Sequence, residues 1–157
     1  MTDPVWRLRP VTQQDARDFA KWRYPEPYSL YNAEPGDAEH YLEPANGYFA
    51  VDEDGSLVAH VCFGADARVP GGRYDDEAID FGAGMRPERI GGGRGKHLLR
   101  VAMDEAHRRW PGKRLRTTIA AFNERAQHLV RKAGFREVEI FRSSTGREFV
   151  VFVEADC

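Results

Sequence analysis

Between Met85 and Leu99 the chain reads MRPERIGGGRGKHLL. Gly91, Gly92, Gly93 and Gly95 are interrupted only by Arg94, Lys96 follows directly, and the next residues are apolar at helical spacing. Residues without side chains at the start of a helix leave backbone N–H groups uncovered at its electropositive end, an anion-binding arrangement. The amides from Gly91 through Lys96 are therefore expected to meet a phosphate or pyrophosphate, with Arg94 or Lys96 adding positive charge. The competing reading is a flexible turn whose basic side chains are simply solvated.

Spacing sorts the known phosphate loops. Counted from Gly91, a dinucleotide fingerprint would need glycine where Lys96 stands, and a nucleoside triphosphate loop would need glycine at Ile90 and Ser or Thr at His97. A third pattern, Gln or Arg, two variable residues, Gly, a variable residue and Gly, fits Ile90 to Gly95 with Ile90 replacing the long polar residue. A second block, NERAQHLVRKAGF from Asn123 to Phe135, follows one helix and one strand later. These two blocks, in this order, resemble the GCN5-related N-acetyltransferases.

The resemblance implies an α/β (α+β) fold, with a mixed, mostly antiparallel central sheet flanked by helices on both faces. The strand before the glycine loop would be bulged and splayed, with the pantetheine arm of acetyl-CoA, the acyl donor, filling the gap. Met85 and Arg86 would bind that donor beside Gly91 to Lys96, the Met85 amide would polarise the thioester carbonyl, and Asn123 would reach the pantetheine or else cap its own helix. Asp80 stands where many family members carry a glutamate. It shares a strand face with Gly82 and Gly84, so it is a candidate base acting through water, with a salt-bridged strand acid as the alternative. Val130 occupies the position of the family's tyrosine and cannot protonate the departing thiolate, which leaves Tyr28, Tyr31, Tyr74 or water for that task.

These groups need elements to hold them. Val5 to Val11 alternates as a strand, and Thr12 with Asp15 forms a capping signal for a helix ending near Trp22. Next comes WRYPEPYSLY, Trp22 to Tyr31, a proline-broken aromatic loop. By resemblance its Trp22, Tyr24, Tyr28 and Tyr31 line the amine acceptor; the plainer reading is packing at a core edge. A short helix is expected over Gly36 to Pro44, then a hairpin of Tyr48–Asp52 and Leu57–Phe63 turning at Asp54-Gly55. His60, alone in that second strand, reads as structural. Asp66 to Asp76 is a loop, and Ala78 to Arg86 a strand whose Gly82 and Gly84 suggest a bulge or the close approach of a ligand. A helix from about Gly95 to Trp110, a strand over Leu115 to Ala120, a helix over Asn123 to Ala133, and strands around Val138–Phe141 and Glu148–Val153 complete the chain.

With 157 residues, 41% hydrophobic and 31% charged, a single acetyltransferase domain over 1–157 is expected. The formal charge of −2 argues against a nucleic-acid partner, and Arg108, Arg109, Lys113, Arg114 and Arg116 read as a solvated cluster. No apolar run is long enough for a membrane span, and no leader precedes the domain, so a cytoplasmic protein is expected. Cys62, in an apolar strand, and Cys157, at the terminus, suit neither a disulfide nor a metal, and no metal site is expected. The resulting expectation is acetyl transfer from acetyl-CoA to a primary amine on a small molecule, an amino acid or a protein N-terminus, compatible with a homodimer. The alternative is an acyl-CoA-binding sensor or scaffold that transfers nothing, favoured by Ile90 and Val130.

Overall fold

A computed structural model describes residues 3–155; Cys157 lies outside the described residues. Among the described residues, seven strands follow the order β1-β2-β3-β4-β5-β7-β6, accompanied by four α-helices and short 3₁₀ turns. The chain forms two compact units, Met1–Cys62 with Ala83–Ala102 and Phe63–Gly82 with Met103–Cys157.

In the first unit β1 (Trp6–Pro10) pairs antiparallel with β2 (Tyr48–Glu53), from Trp6↔Glu53 to Pro10↔Phe49. β2 turns into β3 (Ser56–Phe63) through Asp54 at φ 50° and Gly55 at φ 83°, the double left-handed geometry that a two-residue hairpin of this twist requires. α1 (Gln13–Lys21) begins at the expected capping box: the Asp15 amide donates to Thr12 Oγ1 at 3.1 Å and the Thr12 amide donates to Asp15 Oδ2 at 2.8 Å. Asp15 is buried, and Arg9 bridges it to Asp52 with contacts of 2.6 and 2.7 Å. Phe19, Trp22 and Ala50 form the centre of this unit's core, with Val11, Tyr24, Tyr41 and Leu57 packed around them. Tyr41 comes from α2 (Ala38–Leu42), shorter than the Gly36–Pro44 helix expected because its first turn is 3₁₀.

β4 (Ala78–Met85) and β5 (Arg114–Ala120) pair parallel, as two strands joined through an intervening helix, α3 (Arg94–Arg109), are able to do. Their ladder runs only from Ala78↔Arg114 to Asp80↔Arg116, although both strands continue. That short ladder agrees with the splayed strand expected ahead of the loop. In the second unit β5 also pairs antiparallel with β7 (Glu148–Glu154), which pairs with β6 (Phe135–Arg142). Leu115 and Phe152 are fully buried, and Val130, Phe135, Val150 and Val151 join them in its core. α4 (Glu124–Lys132) is stopped by Gly134 at φ 98°, and Phe135 packs inward at 3% exposure, as the Gly-Phe pair predicts. Gln127 of α4 is buried, with Nε2 donating to the Ala121 carbonyl at 2.8 Å. No helix among the described residues is long and apolar enough to cross a membrane.

Candidate active site

The glycine loop has the backbone that its sequence requires. Gly91, Gly92 and Gly93 hold φ of 99°, 64° and 78°, three successive left-handed residues of a kind that side chains strongly disfavour, immediately before α3 begins at Arg94. The Arg94 amide is turned back on the loop, donating to the Gly91 carbonyl at 3.3 Å. The next amides of the first turn, from Gly95 onward, lack intrahelical acceptors by the geometry of any helix start. A Cβ built on Gly91 or Gly93 would meet no atom within 4 Å, so the glycines leave an open approach to the backbone. An anion of pyrophosphate type fits such a cradle.

The two cations expected at the loop are engaged differently. Arg94 Nε donates to Glu53 Oε1 at 3.1 Å, and Arg89 reaches the same oxygen at 3.5 Å. The guanidinium of Arg94 also folds over Gly92, whose Cβ would lie 3.0 Å from it. Its charge is thus matched inside the protein. Lys96 is exposed at the loop's end, while His97 stacks on Trp6 with ring centres 5.5 Å apart.

The end of β4 is held from several sides within the first unit. Tyr24 donates its hydroxyl to the Met85 carbonyl at 2.6 Å, and the Arg86 amide donates to the Val58 carbonyl at 2.7 Å. Arg86 Nε donates to the Leu57 carbonyl at 2.8 Å, and its guanidinium lies 5.1 Å over the Trp22 ring. Arg86 is therefore a structural clamp on the peptide that follows Met85. Burial drives the Tyr24 pKa upward, with the nearby Tyr41 and Glu88 charges adding to it, so its hydroxyl stays a donor at any working pH. A cleft of about 360 Å³ is lined by Asp18, Lys21, Trp22, Arg23, Arg86 and Glu88.

Of the aromatic residues expected at the acceptor, Trp22 is 6% exposed and belongs to the core, whereas Tyr31 is 42% exposed. Tyr28 stacks on Tyr31 at 6.4 Å, and Tyr24 meets Tyr31 edge-on at 6.3 Å. Trp22 thus packs, as the plainer reading has it, and the three tyrosines are in ring contact with one another through Tyr31.

Asp80 lies in the second unit and is 3% exposed. Arg116 donates from Nε to Oδ1 at 2.7 Å and from its terminal nitrogen to Oδ2 at 2.8 Å, and Arg68 Nε donates to Oδ2 at 2.8 Å. The salt-bridged arrangement is the one the fold adopts. A carboxylate buried and engaged at both oxygens is shielded from the water relay that taking an amine's proton would need. The same contacts remove Arg116 from any solvated basic cluster, since it is 5% exposed. Its pKa is raised mainly by its hydrogen bond to Asp80, and Asp75 adds to the effect against the opposing cost of burial. Tyr74 is engaged as well, its hydroxyl 2.8 Å from Thr118 Oγ1 and its ring beneath both Arg68 and Arg116.

Asn123, also in the second unit, takes the plainer of its two roles: its Oδ1 accepts from the Ala126 amide at 3.2 Å and caps α4. Val130 is 5% exposed in the core. His60, read from the sequence as structural, packs among the rings of Phe19, Trp22, Tyr41 and Tyr48 and also meets β4, where a Cβ on Gly84 would lie 2.7 Å from its ring.

A strand with a short parallel ladder thus runs into an open glycine loop at a helix start, a backbone arrangement that suits a phosphorylated ligand. The sequence matches the model of the acetyltransferase (GNAT) family over residues 13–135. The chain belongs to that family. Among solved structures, an acetyltransferase (GNAT family) from Bacillus anthracis superposes with a TM-score of 0.73 at 13% identity, covering 94% of this chain and 93% of that one. yncA from Salmonella typhimurium, solved with its cofactor acetyl-CoA, gives 0.66 at 18% identity, with 94% and 92% covered. A point mutant of spermidine N-acetyltransferase SpeG from Vibrio cholerae gives 0.70 at 18% identity, with 94% and 92% covered. No curated protein matches the sequence significantly.

Proposed function

We propose that the protein transfers the acetyl group of acetyl-CoA to a primary amine, on a small molecule, an amino acid or a protein N-terminus, by direct attack of the amine on the thioester, in the cytoplasm. The observation that carries this reading is the run of three left-handed glycines opening α3 directly after β4. In this reading the amides of Gly91 to Lys96 hold the pyrophosphate, with the helix dipole contributing about 0.3 to 1 kcal/mol, and Lys96 adds charge. The Met85 amide faces the thioester carbonyl and strengthens its hydrogen bond as negative charge grows on the oxygen. Tyr24, through its bond to the Met85 carbonyl, fixes the orientation of that strand end. Tyr24, Tyr28 and Tyr31 offer the acceptor an aromatic wall. A protein of similar fold is named for spermidine, a polyamine, which supports an amine acceptor in general terms. Cys62 is buried in β3, a poor setting for an acyl-enzyme thiolate.

Calorimetric titration of acetyl-CoA into the wild-type protein and Gly93→Asp, followed by thiol release over a panel of amines, peptides and aminoglycosides, tests the proposal. Binding that the aspartate abolishes, together with release in the presence of one acceptor class, supports it. Binding without release from any acceptor favours a non-catalytic acyl-CoA-binding module, the reading to which Val130 lends weight. Absence of binding ends both.

A further inference from the structure

With Asp80 committed to two guanidinium groups, amine attack needs another proton acceptor, and β3 presents one. We infer that His60 is the catalytic base of the transfer, taking the proton of the attacking amine on Nε2 and passing it to the departing thiolate; this rests on the N-acetyltransferase reading above.

The ring is held by contacts from several elements of the first unit. It stacks on Trp22 with an interplanar angle of 11° and centres 5.7 Å apart. Phe19, Tyr41 and Tyr48 surround it at 4.9, 5.6 and 5.8 Å. Four rings, from α1 and its end, α2 and β2, thus fix one imidazole. Its remaining edge meets β4: Cε1 and Nε2 both lie 2.7 Å from where a Cβ of Gly84 would be, so only glycine admits the ring there. Gly84 directly precedes Met85, whose amide is assigned to the thioester carbonyl.

Packing alone does not account for a histidine at this position. Nδ1 is buried without a hydrogen-bond partner, a cost that phenylalanine would avoid while filling the same aromatic cage. In the tautomer that carries its proton on Nδ1, the imidazole adds a lone pair at the β4 edge. Burial alone pushes its pKa down to about 4. Of the rings packed against it, those of Tyr41 and Tyr48 carry titratable hydroxyls. The imidazole is consequently neutral at physiological pH, its lone pair unprotonated.

The proton balance closes without an outside reagent. The acceptor's ammonium leaves its first proton in water, which the apolar surroundings favour. The neutral amine forms the C–N bond at the carbonyl carbon, the C–S bond breaks, and the second nitrogen-bound proton goes to Nε2. An imidazolium in this cage is a strong acid, so it protonates the thiolate and returns to its neutral state. One ring thereby provides both the base that Asp80 does not and the acid that Val130 cannot be.

The test compares wild type, His60→Ala and His60→Phe, using acetyl-CoA and, as acceptor probes, propylamine, phenethylamine and spermidine. The expected result is a loss in kcat of roughly 100- to 10,000-fold in both variants, with calorimetric acetyl-CoA affinity and KM for acetyl-CoA unchanged. Imidazoles added to His60→Ala should restore turnover, with rates rising with imidazole pKa, whereas thiophene, which fills the same space without a basic nitrogen, should not. Independently of turnover, ¹⁵N spectra of ring-labelled histidine should show His60 neutral at about pH 5.5, between the folded and ordinary pKa values, with its Nε2 resonance moving when propylamine is added to the CoA complex. Full activity in His60→Phe, equal rescue by thiophene, or a protonated His60 at that pH overturns the assignment while leaving the transferase reading intact. Acetyl-CoA binding with no thiol release from wild type for any probe or panel acceptor overturns both.

Discussion

Replacing Asp80 by asparagine separates a structural carboxylate from a catalytic one. The change keeps the shape of the side chain but removes its charge and turns one of its oxygens into a donor facing guanidinium N–H groups. Three charge-assisted hydrogen bonds of 2.7 to 2.8 Å converge on Asp80, two from Arg116 and one from Arg68. Removing one partner of a buried ion pair costs about 3 to 5 kcal/mol. Arg116 retains Asp75, whose Oδ1 accepts at 2.9 Å and whose carbonyl accepts at 2.7 Å, which places the expected loss near the lower end of that range. For a chain of this size about 3 kcal/mol corresponds to a fall in Tm of roughly 6 to 12 °C. Urea unfolding should show a lower midpoint with an unchanged slope, as expected when stability rather than compactness changes. The folded fraction at room temperature should retain most of its acetyl-transfer rate. An Asp80→Asn protein that melts within a degree of wild type and loses a hundredfold or more in kcat would refute this reasoning and return the base to β4.

Three further outcomes follow from the same geometry. Gly93→Ala forces a side chain into φ 78°, costing about 1 to 2 kcal/mol; acetyl-CoA affinity measured by calorimetry should fall with it, because the Cβ points into open space over the loop. Tyr24→Phe removes the bond to the Met85 carbonyl, and a loss of about 0.5 to 1.5 kcal/mol should appear as a lower kcat, with little change in acceptor KM; unchanged kinetics would mean that this bond does not position the strand end. His60 is neutral when folded and has a pKa held at about 4, against 6.5 for an unperturbed histidine. Between those values the unfolded chain binds the extra proton, so stability falls as pH drops from about 6.5 to 4, by roughly 3 kcal/mol. His60→Phe should flatten this segment of the stability profile measured by urea melts, and an unaltered profile would show that the ring is not desolvated.

The parts of this molecule legible in the sequence are those governed by neighbours along the chain. Three glycines in a row favour left-handed backbone, Asp54-Gly55 closes a hairpin, and Thr12 with Asp15 caps a helix, because each depends on local sterics or on hydrogen bonds three residues apart. The phosphate cradle, the strand leading to it and the family were accordingly readable from residue types and spacing. Which charges are matched internally and which groups lose their solvent was not. Asp80 meets Arg68 and Arg116, 12 and 36 positions away, and becomes part of a buried ion-pair cluster. Arg94 has its charge matched by Glu53 across 41 positions. His60 becomes a desolvated imidazole only because rings from other elements and a glycine of β4 close around it. Pairing and desolvation depend on what distant segments bring together, so the roles of those side chains were decided by the tertiary structure alone.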